Sequence, residues 1–516
     1  MSWADRVSSG RVFGADRASA ERPAADARRF EALLTHGGDE RIAIDARTGR
    51  NRYGSPRGTA CDEAWFSSST ATAITRRGYD AAFQAFHSIL DEGNASAIPD
   101  WFDRLRARLL CLFGTPGAEV VLSGSGTELE LLALAVARAV LRQPLTNLVV
   151  APGETGRGVL QAASGRHFLS SAPFRDRVAC GELIEGFGDP ETIVESVDIR
   201  DQHGKPRSDD SIDDDVVRKV EASIAGDRRV LIHLLDCSKT NRSGLRRATA
   251  SALMARYPGR ALVVVDSCQL RGSPEQVRAD LGAGFMVMVT GSKFAAGPPF
   301  AGALLLPADI LQQLPSLDLP AGLLAYTAAG DWPAALCGRF TRPLVAANNI
   351  GVGLRWEAAL AELERLFALP VAFRDAATKA FADAVAAHVG ANPRLALVDA
   401  ETGDGRQPGQ TIWPIVTAAR EDISVTSESV HRALRLPRPD DRSPAASKRI
   451  FHVGQPVSIG HRSALRVCLS ASQIVDAAET MTEHCGLDIA VAPLMADVDG
   501  LFQKWMRIAD ELSRRR

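Results

Sequence analysis

Short, continuously apolar segments alternate with helical segments through the middle of the chain, and this alternation constrains the fold more than any other feature. Segments such as TNLVVAP, RALVVVD and FMVMVTG contain about four to six apolar residues in a row. Helical patterns separate them, as in TELELLALAVARAVLR. Strands with unbroken apolar runs are typical of a parallel sheet covered on both faces. We therefore expect an α/β fold with a doubly wound, mostly parallel sheet over residues 95–340.

The remaining sequence predicts two further regions. Residues 1–94 are first polar and interrupted by Gly and Pro and then helical, so we expect an N-terminal arm followed by helices. Residues 341–516 begin with a long helical segment and then mix strand-like runs with helices. This pattern predicts a linking helix and a smaller C-terminal α+β domain. A chain of 516 residues is long enough for several domains.

The composition narrows the class of function. The formal net charge of −2 provides no general attraction for nucleic acid or acidic membranes, and no apolar run reaches the roughly 18 residues that span a bilayer. The eight cysteines include no C-x-x-C pair, and the N-terminus has no apolar signal-peptide core. We therefore expect a cytoplasmic protein that acts on a small molecule and binds neither nucleic acid nor membrane. The acidic run Asp209 to Asp215 fits a helix start better than a metal site.

Polar residues follow several predicted strands at the point where each strand ends. In an open parallel sheet these positions meet in one crevice outside the carboxyl ends of the strands. We therefore expect them to form one site. They are Ser123 to Thr127, Gly153 to Thr155, Asp236 to Asn241, Asp266, and Thr290 to Lys293.

Each of these features also has a purely structural explanation. Thr127 could cap a helix, Asp266 could cap a turn, and Lys293 could extend to solvent along its own stem. These three explanations would have to coincide at one sheet edge. Pyridoxal phosphate (PLP) requires all three groups together: an amine for a Schiff base, a carboxylate for the ring nitrogen, and a helix N-terminus for the phosphate.

The residues around Lys293 resemble a known class of enzymes. The segment VVVDSCQLRGSPEQVRADLGAGFMVMVTGSKFAAGPPFAGALLL is similar to the core of fold-type I PLP-dependent enzymes, in particular the class V aminotransferase and cysteine desulfurase group. Asp266 and Gln269 match its strand-end motif, and Thr290 to Lys293 match its lysine motif. Upstream, SGSGTELE resembles its phosphate turn, and DCSKTNRSGL resembles its Asn-containing loop.

The resemblance implies a role for each candidate residue. Lys293 would form the internal aldimine with PLP, and Asp266 would contact the pyridine nitrogen, so these two are the expected catalytic residues. Arg466 would hold a substrate carboxylate, while Arg57 and the polar run FSSSTATAIT would lie at the substrate entrance. The other expected cofactor-binding residues are Ser125, Gly126, Thr127, Thr290 and Ser292 around the phosphate, Gln269 and Asn241 near the phenolic oxygen, and Thr155 near the ring.

The chain also departs from the pattern of this group. The histidine that usually covers the cofactor ring is replaced near Thr155, with Glu154 beside it, and Ser292 stands where a histidine usually precedes the lysine. Desulfurases carry a cysteine on a mobile loop, whereas the corresponding segment RPDDRSPAASKR has none. Desulfurase activity is therefore disfavoured.

These observations predict a PLP-dependent transferase or lyase that acts on an amino acid or amine, as a homodimer according to the resemblance. Aminotransfer is the first expectation. A lyase, or an enzyme that forms a bond at Cβ or Cγ, is the alternative, because the loop at Thr155 is unusual. A PLP-binding protein without catalysis and a nicotinamide-dependent enzyme also stay open; the second lacks a full G-x-G-x-x-G motif and leaves Lys293 unexplained.

Overall fold

The chain builds a seven-stranded sheet and a five-stranded sheet, with helices packed against both. The computed structural model describes residues 22–60, 62–92, 97–142, 144–314, 316–399, 410–417, 426–437, 449–481 and 486–514. The elements up to the last strand of the large sheet are α1 (Arg22–Leu34), β1 (Glu63–Phe66), α2 (Arg76–Glu92), α3 (Ala97–Phe113), β2 (Glu119–Ser123), α4 (Gly126–Leu141), β3 (Leu145–Val150), α5 (Val159–Ala163), β4 (Thr192–Val197), α6 (Asp209–Ala225), β5 (Arg229–Leu235), α7 (Arg247–Arg256), β6 (Ala261–Ser267), α8 (Pro274–Gly282), β7 (Met286–Thr290) and β8 (Gly302–Leu306). The elements that follow are α9 (Ala308–Gln312), α10 (Ala334–Cys337), α11 (Ile350–Ala368), α12 (Val371–Gly390), β9 (Leu395–Leu397), β10 (Ile412–Thr417), α13 (Ser427–Leu434), β11 (Ile450–Ile459), β12 (Arg462–Cys468), α14 (Ala471–Thr480) and α15 (Leu487–Arg514), with short 3-10 turns at Pro152–Glu154, Ala321–Ala325 and Ala329–Asp331.

The large sheet has the strand order β2-β8-β7-β6-β5-β3-β4. Its strands β3 to β7 run parallel, and β8 runs antiparallel to both of its neighbours. The predicted α/β fold with a doubly wound, mostly parallel sheet is therefore confirmed.

Both faces of this sheet are buried. In β6, Val263 and Val265 belong to one hydrophobic cluster, whereas Leu262 and Val264 belong to a second cluster on the opposite face. Burial of each such side chain contributes about 1.5–3 kcal/mol. Because side chains on both faces of the strand are buried, an apolar residue stabilises the fold at each of these positions. The sequence of the strand is therefore a continuous apolar run.

The small sheet has the order β1-β11-β12-β10-β9. Its C-terminal strands pair antiparallel, while β1 pairs parallel with β11. Strand β1 comes from the region predicted as an N-terminal arm with helices. That region therefore contributes an edge strand to the C-terminal sheet, which brings residues 67–71 close to the carboxyl ends of the large sheet.

Helix α11 ties these parts together. The buried Arg355 donates hydrogen bonds to the carbonyl oxygens of Phe300 (2.6 Å), Leu34 (3.0 Å) and His36 (2.7 Å). Trp356 donates from Nε1 to the Gly302 carbonyl at 3.0 Å. These bonds fix the N-terminal segment against the chain that follows Lys293.

None of the helices within the described ranges is long and apolar enough to cross a membrane. Over the same ranges, no group of His, Cys, Asp and Glu side chains is arranged to hold a metal ion.

Candidate active site

A cavity of about 290 Å³ lies where the parallel strands of the large sheet end. Its size is close to the lower end of small-molecule sites, which span about 300–1,000 Å³. Strand ends, the N-terminus of α4, the N-terminal segment and the small sheet all contribute to its walls. The predicted site residues that line it are Ser125, Gly126, Thr127, Thr155, Asp266, Gln269, Thr290, Ser292, Lys293 and Arg466.

Lys293 occupies a tight turn directly after β7. The Gly291 amide donates to Ala301 at 2.7 Å, and the Gly297 amide donates back to Gly291 at 2.9 Å. A side chain at Gly291 would lie 2.5 Å from the Cβ of Ala359, so only glycine lets the turn approach α11 this closely. The turn thus holds Lys293 at the cavity, and within the described residues its amine makes no ion pair.

Asp266 is the penultimate residue of β6, the strand beside β7. Its Oδ1 accepts a hydrogen bond from the Cys268 amide at 3.0 Å, which orients the carboxylate at the cavity wall. The lysine and the carboxylate therefore come from adjacent parallel strands.

Three buried polar side chains, Glu130, His233 and Asn147, form a connected group near Asp266. Burial, and then the negative charge of Asp266, raise the pKa of Glu130 well above its usual value, which favours the neutral form of this side chain. Its Oε2 lies 3.4 Å from Nδ1 of His233 without a hydrogen bond. The Asn147 amide nitrogen donates to Ala163 at 2.9 Å, which turns its Oδ1 toward His233 Nε2 at 2.7 Å. His233 is thus a buried neutral histidine, with its pKa lowered to about 3 by burial.

The glycine-rich turn opens α4 at the cavity. Ser125 is the N-cap, and its Oγ accepts from the Glu128 amide at 3.3 Å. A Cβ at Gly126 would lie 2.9 Å from Sγ of Cys268, so the backbone approaches the strand ends more closely than a side chain permits. The first amides of a helix are free donors at the positive end of its dipole, which suits a phosphate.

Arg41 lies beside this turn, a contact that the sequence analysis missed. Its Nη2 donates to Ser125 Oγ at 3.3 Å and pairs with Asp39 at 2.6 Å. The guanidinium also lies over the Phe300 ring, 5.1 Å from the centroid. The N-terminal segment thus supplies a cation next to the phosphate-type turn.

The loop after β5 places Lys239, rather than Asn241, at the cavity. The Ser238 amide donates to Arg242 at 2.7 Å, and Asn241 sits at the tip of this turn with φ of 64°. Its Oδ1 accepts a weak bond from Cys237 Sγ at 3.8 Å. Asn241 is not among the residues lining the cavity, so the position does not support its predicted role near the phenolic oxygen.

Glu154 fixes the shape of that loop. Its carboxylate pairs with Arg200 at 2.5 Å and accepts from Ser238 Oγ at 2.6 Å and from Thr240 Oγ1. Arg200 in turn makes a bidentate pair with Asp399, at 2.8 Å for both bonds. The carboxylate next to Thr155 therefore holds two loops together and does not cover a cofactor ring.

Thr155 lines the cavity at the place where the resemblance expects a ring-covering histidine. Its Oγ1 donates to the Pro152 carbonyl at 3.1 Å, so the hydroxyl is engaged within its own loop. Thr290 is similarly committed, because its Oγ1 donates to the Cys268 carbonyl at 2.6 Å.

Arg466 lies in β12 of the small sheet and is fully buried. It donates to the Gln455 carbonyl at 2.7 Å, to Thr70 Oγ1 at 2.9 Å and to the Ser69 carbonyl at 3.4 Å. All of these partners are neutral, and burial lowers the pKa of Arg466 to about 10. A buried guanidinium without an acidic partner among the described residues is suited to an anionic ligand.

Arg57 lies outside the cavity, contrary to the expectation for the substrate entrance. Asn51 and Ser55 pair across a turn at Gly54, where φ is 91°. Arg52 and Arg57, on either side of this turn, are both exposed, and of the two Arg52 lines the cavity. The polar run after it does reach the site, because Ser69, Thr70 and Ala71 line the cavity.

Sequence signals existed for some of the missed residues. Glu130 follows Gly126 by four positions, so both lie on one face of α4. A carboxylate within the apolar pattern LELLALAVA is itself unusual. Lys239 belongs to the same loop as Asn241, and only the direction of the turn decides which side chain faces inward. Nothing in the local sequence indicates Arg41.

The chain is similar to solved structures of PLP-dependent enzymes. It aligns with the cysteine desulfurase CsdA from Escherichia coli with a TM-score of 0.54 and 15% identity, over 87% of this chain and 96% of that one. A C-DES variant with glycine covalently linked to its PLP cofactor gives a TM-score of 0.50 and 12% identity over 87% and 96%. A sphingosine-1-phosphate lyase from Burkholderia pseudomallei gives 0.48 and 12% over 96% and 92%. The first two of these matches show that the fold is that of the fold-type I PLP-dependent enzymes, as the sequence predicts. No protein-family model and no curated protein sequence matches the chain.

The residues at the cavity fit PLP. Gly126 and Thr127 border the cavity at the N-terminus of α4, where the first amides of the helix are free to donate to a phosphate. Lys293 and Asp266 border the same space from adjacent strand ends. Glu130 also lines the cavity, and its buried Oε2, 3.4 Å from Nδ1 of His233, has no hydrogen-bond partner among the described residues.

Proposed function

We propose that the protein is a PLP-dependent enzyme that acts on an amino acid, with aminotransfer as its reaction. The observation that carries this proposal is the convergence of Lys293, Asp266 and the N-terminus of α4 on one cavity. A scaffold protein has no need for an amine without an ionic partner beside a carboxylate from the adjacent strand. A nicotinamide cofactor would leave Lys293 without a role.

Each group of the site has a defined task in this proposal. PLP, when bound, supplies an aldehyde that condenses with amines and a ring that accepts the electron pair released at the substrate Cα. Lys293 is the amine that tethers the cofactor and afterwards moves the proton at Cα. Asp266 would hold a proton at the pyridine nitrogen, and the amides of Gly126 and Thr127 would donate to the phosphate.

Arg466 orients the substrate in this proposal. Its buried guanidinium would donate to the substrate carboxylate and thereby fix the orientation of the substrate Cα in the cavity. Catalysis therefore requires that the small sheet keeps its position relative to the large sheet. Residues 69–71 and Phe300 form walls of the cavity and exclude water from the bound substrate.

A lyase or a Cβ/Cγ-substitution reaction is the second candidate. The observation that favours it is Thr155, a small side chain at the place of the usual histidine. Desulfuration is not proposed, because burial raises the pKa of Cys237 to about 12 and raises that of Cys268 as well, so neither cavity thiol is a good nucleophile. The loop RPDDRSPAASKR falls mostly outside the described residues.

The first test is the absorbance of the purified protein from 300 to 550 nm with added PLP. We expect a visible band that shifts with one member of a panel of amino acids, together with formation of the corresponding keto acid. Borohydride reduction followed by peptide mass spectrometry should place the cofactor on Lys293. The Lys293→Ala variant should lose the trapped adduct, and the exposed-lysine control Lys205→Ala should keep it.

Two results would contradict the proposal. A flat spectrum after incubation with PLP excludes the cofactor, and a full adduct in Lys293→Ala excludes the assigned residue. A shifted band with no keto acid would instead favour the lyase or substitution reaction. The homodimer and the cytoplasmic location stay predictions, and light scattering of the purified protein would test the first.

A further inference from the structure

Three cationic side chains line the substrate side of the cavity. Lys239 follows β5, Arg157 follows β3 and Arg466 lies in β12, and all three line the cavity. The charged groups that act on Lys239 are Arg466, Lys293, Arg157 and Glu154. Among the described residues, neither Lys239 nor Arg157 forms an ion pair, and Arg466 has only neutral partners.

The carboxylates of the cavity do not compensate these cations. Glu154 is already engaged by Arg200, Ser238 and Thr240. Burial raises the pKa of Glu130, which favours its neutral form. Asp266 is held at the end of β6 and is assigned to the cofactor ring. The substrate side therefore carries an excess of positive charge.

Lys239 is held in place by its own backbone. Its amide donates to the Glu154 carbonyl at 3.1 Å, and the neighbouring Thr240 amide donates to Ser238 Oγ at 3.1 Å. The loop thus presents the Lys239 side chain to the cavity in a fixed direction. Burial, and then the facing cations Arg466, Lys293 and Arg157, lower the pKa of this amine to about 7. An anion placed between these groups would stabilise all of them.

A single α-carboxylate does not satisfy this arrangement. It occupies Arg466, which leaves the partly buried Lys239 and the solvent-exposed Arg157 at the cavity without an anion. We propose that Lys239 and Arg157 form a second anion subsite, and that the substrate is an amino acid whose side chain carries a carboxylate or a phosphate group. This inference rests on the proposed function, because Arg466 must first hold the α-carboxylate.

The test compares acids with their neutral counterparts on the PLP-loaded protein. L-aspartate and L-glutamate are titrated against L-asparagine and L-glutamine, and O-phospho-L-serine against L-serine, with the shift of the visible band as the measure of binding. We expect the preferred acid to bind roughly tenfold more tightly than its neutral counterpart, as a charge-assisted hydrogen bond contributes. Comparison of the carboxylate-bearing amino acids with O-phospho-L-serine identifies which anion the subsite binds.

Variants separate charge recognition from folding. Lys239→Gln should reduce the acid preference to about one, Arg157→Gln should reduce it in part, and Lys239→Arg should retain it. The exposed-lysine control Lys205→Gln should leave it unchanged. A general disturbance of the fold would weaken acids and amides alike, so the ratio reports on the subsite alone.

Two outcomes overturn the inference while the proposed function stands: the PLP-loaded protein binds acids and neutral counterparts equally, or Lys239→Gln weakens both to the same extent. The second outcome would mean that Lys239 helps Arg466 hold the α-carboxylate. Absence of any band with PLP overturns the inference together with the proposed function.

Discussion

The two sides of the cavity are built in different ways. The cofactor side consists of Lys293, Asp266 and the α4 N-terminus, each within one to three residues of a strand end of the large sheet. The substrate side consists of Lys239, Arg157 and Arg466, which come from two loops and from the small sheet. The cofactor side balances an amine with a carboxylate, whereas the substrate side is cationic. The fold therefore determines the type of chemistry, and contacts between distant segments determine what is bound.

The largest effect is expected on the cofactor side. Asp266→Asn should keep the visible band of the Lys293 linkage but slow proton exchange at the substrate Cα by roughly 10²- to 10⁴-fold, because an amide does not hold a proton on the pyridine nitrogen. The measurement is the exchange of deuterium into the amino acid that shifts the band. The exposed control Asp198→Asn should exchange at the parent rate. An Asp266→Asn rate within threefold of the parent would remove this residue from the mechanism.

The next effect concerns the stability of the substrate side. Glu154→Gln should lower the free energy of unfolding by about 2–3 kcal/mol, because it leaves the buried Arg200 with only one of its two carboxylate partners. Urea unfolding measures this change. The matched control is Glu195→Gln, whose pair with Lys219 at 2.7 Å is partly exposed and should contribute less than about 1 kcal/mol. Equal losses in both variants would show that Glu154 is no more important than a surface pair.

The same difference explains what the sequence could predict. Asp266 and Lys293 were identifiable because a strand end in a parallel sheet has a known location, and the apolar runs of β6 and β7 mark those ends. Arg41 and Lys239 were not identifiable in this way. Arg41 reaches Ser125 across more than eighty residues of chain, and Lys239 faces inward because of one turn between Ser238 and Arg242. Such contacts depend on tertiary packing and leave no local pattern.

A smaller effect should appear in the titration of Lys239 itself. Its pKa is lowered to about 7, so the amine should lose its proton around neutral pH, whereas an ordinary lysine does so near pH 10.4. Trace acetylation of the cofactor-free protein at increasing pH, read by mass spectrometry, should give half-maximal labelling of Lys239 near pH 7. A lysine peptide added to the same tube serves as the reference. Labelling of Lys239 that follows the reference peptide would show that burial and the facing cations do not act as inferred.

The smallest effect is expected at Arg57, which tests whether the N-terminal segment meets the cavity where the structure places it. Arg57 is exposed beyond the Gly54 turn, whereas Arg52 lines the cavity. Arg57→Ala should therefore change stability by less than about 0.5 kcal/mol and leave amino acid binding unchanged. Arg52→Ala removes a cation from the cavity wall and should weaken binding of the preferred amino acid. If Arg57→Ala has the larger effect on binding, then Arg57 rather than Arg52 contacts the amino acid. The substrate side of the cavity would then extend further along the N-terminal segment.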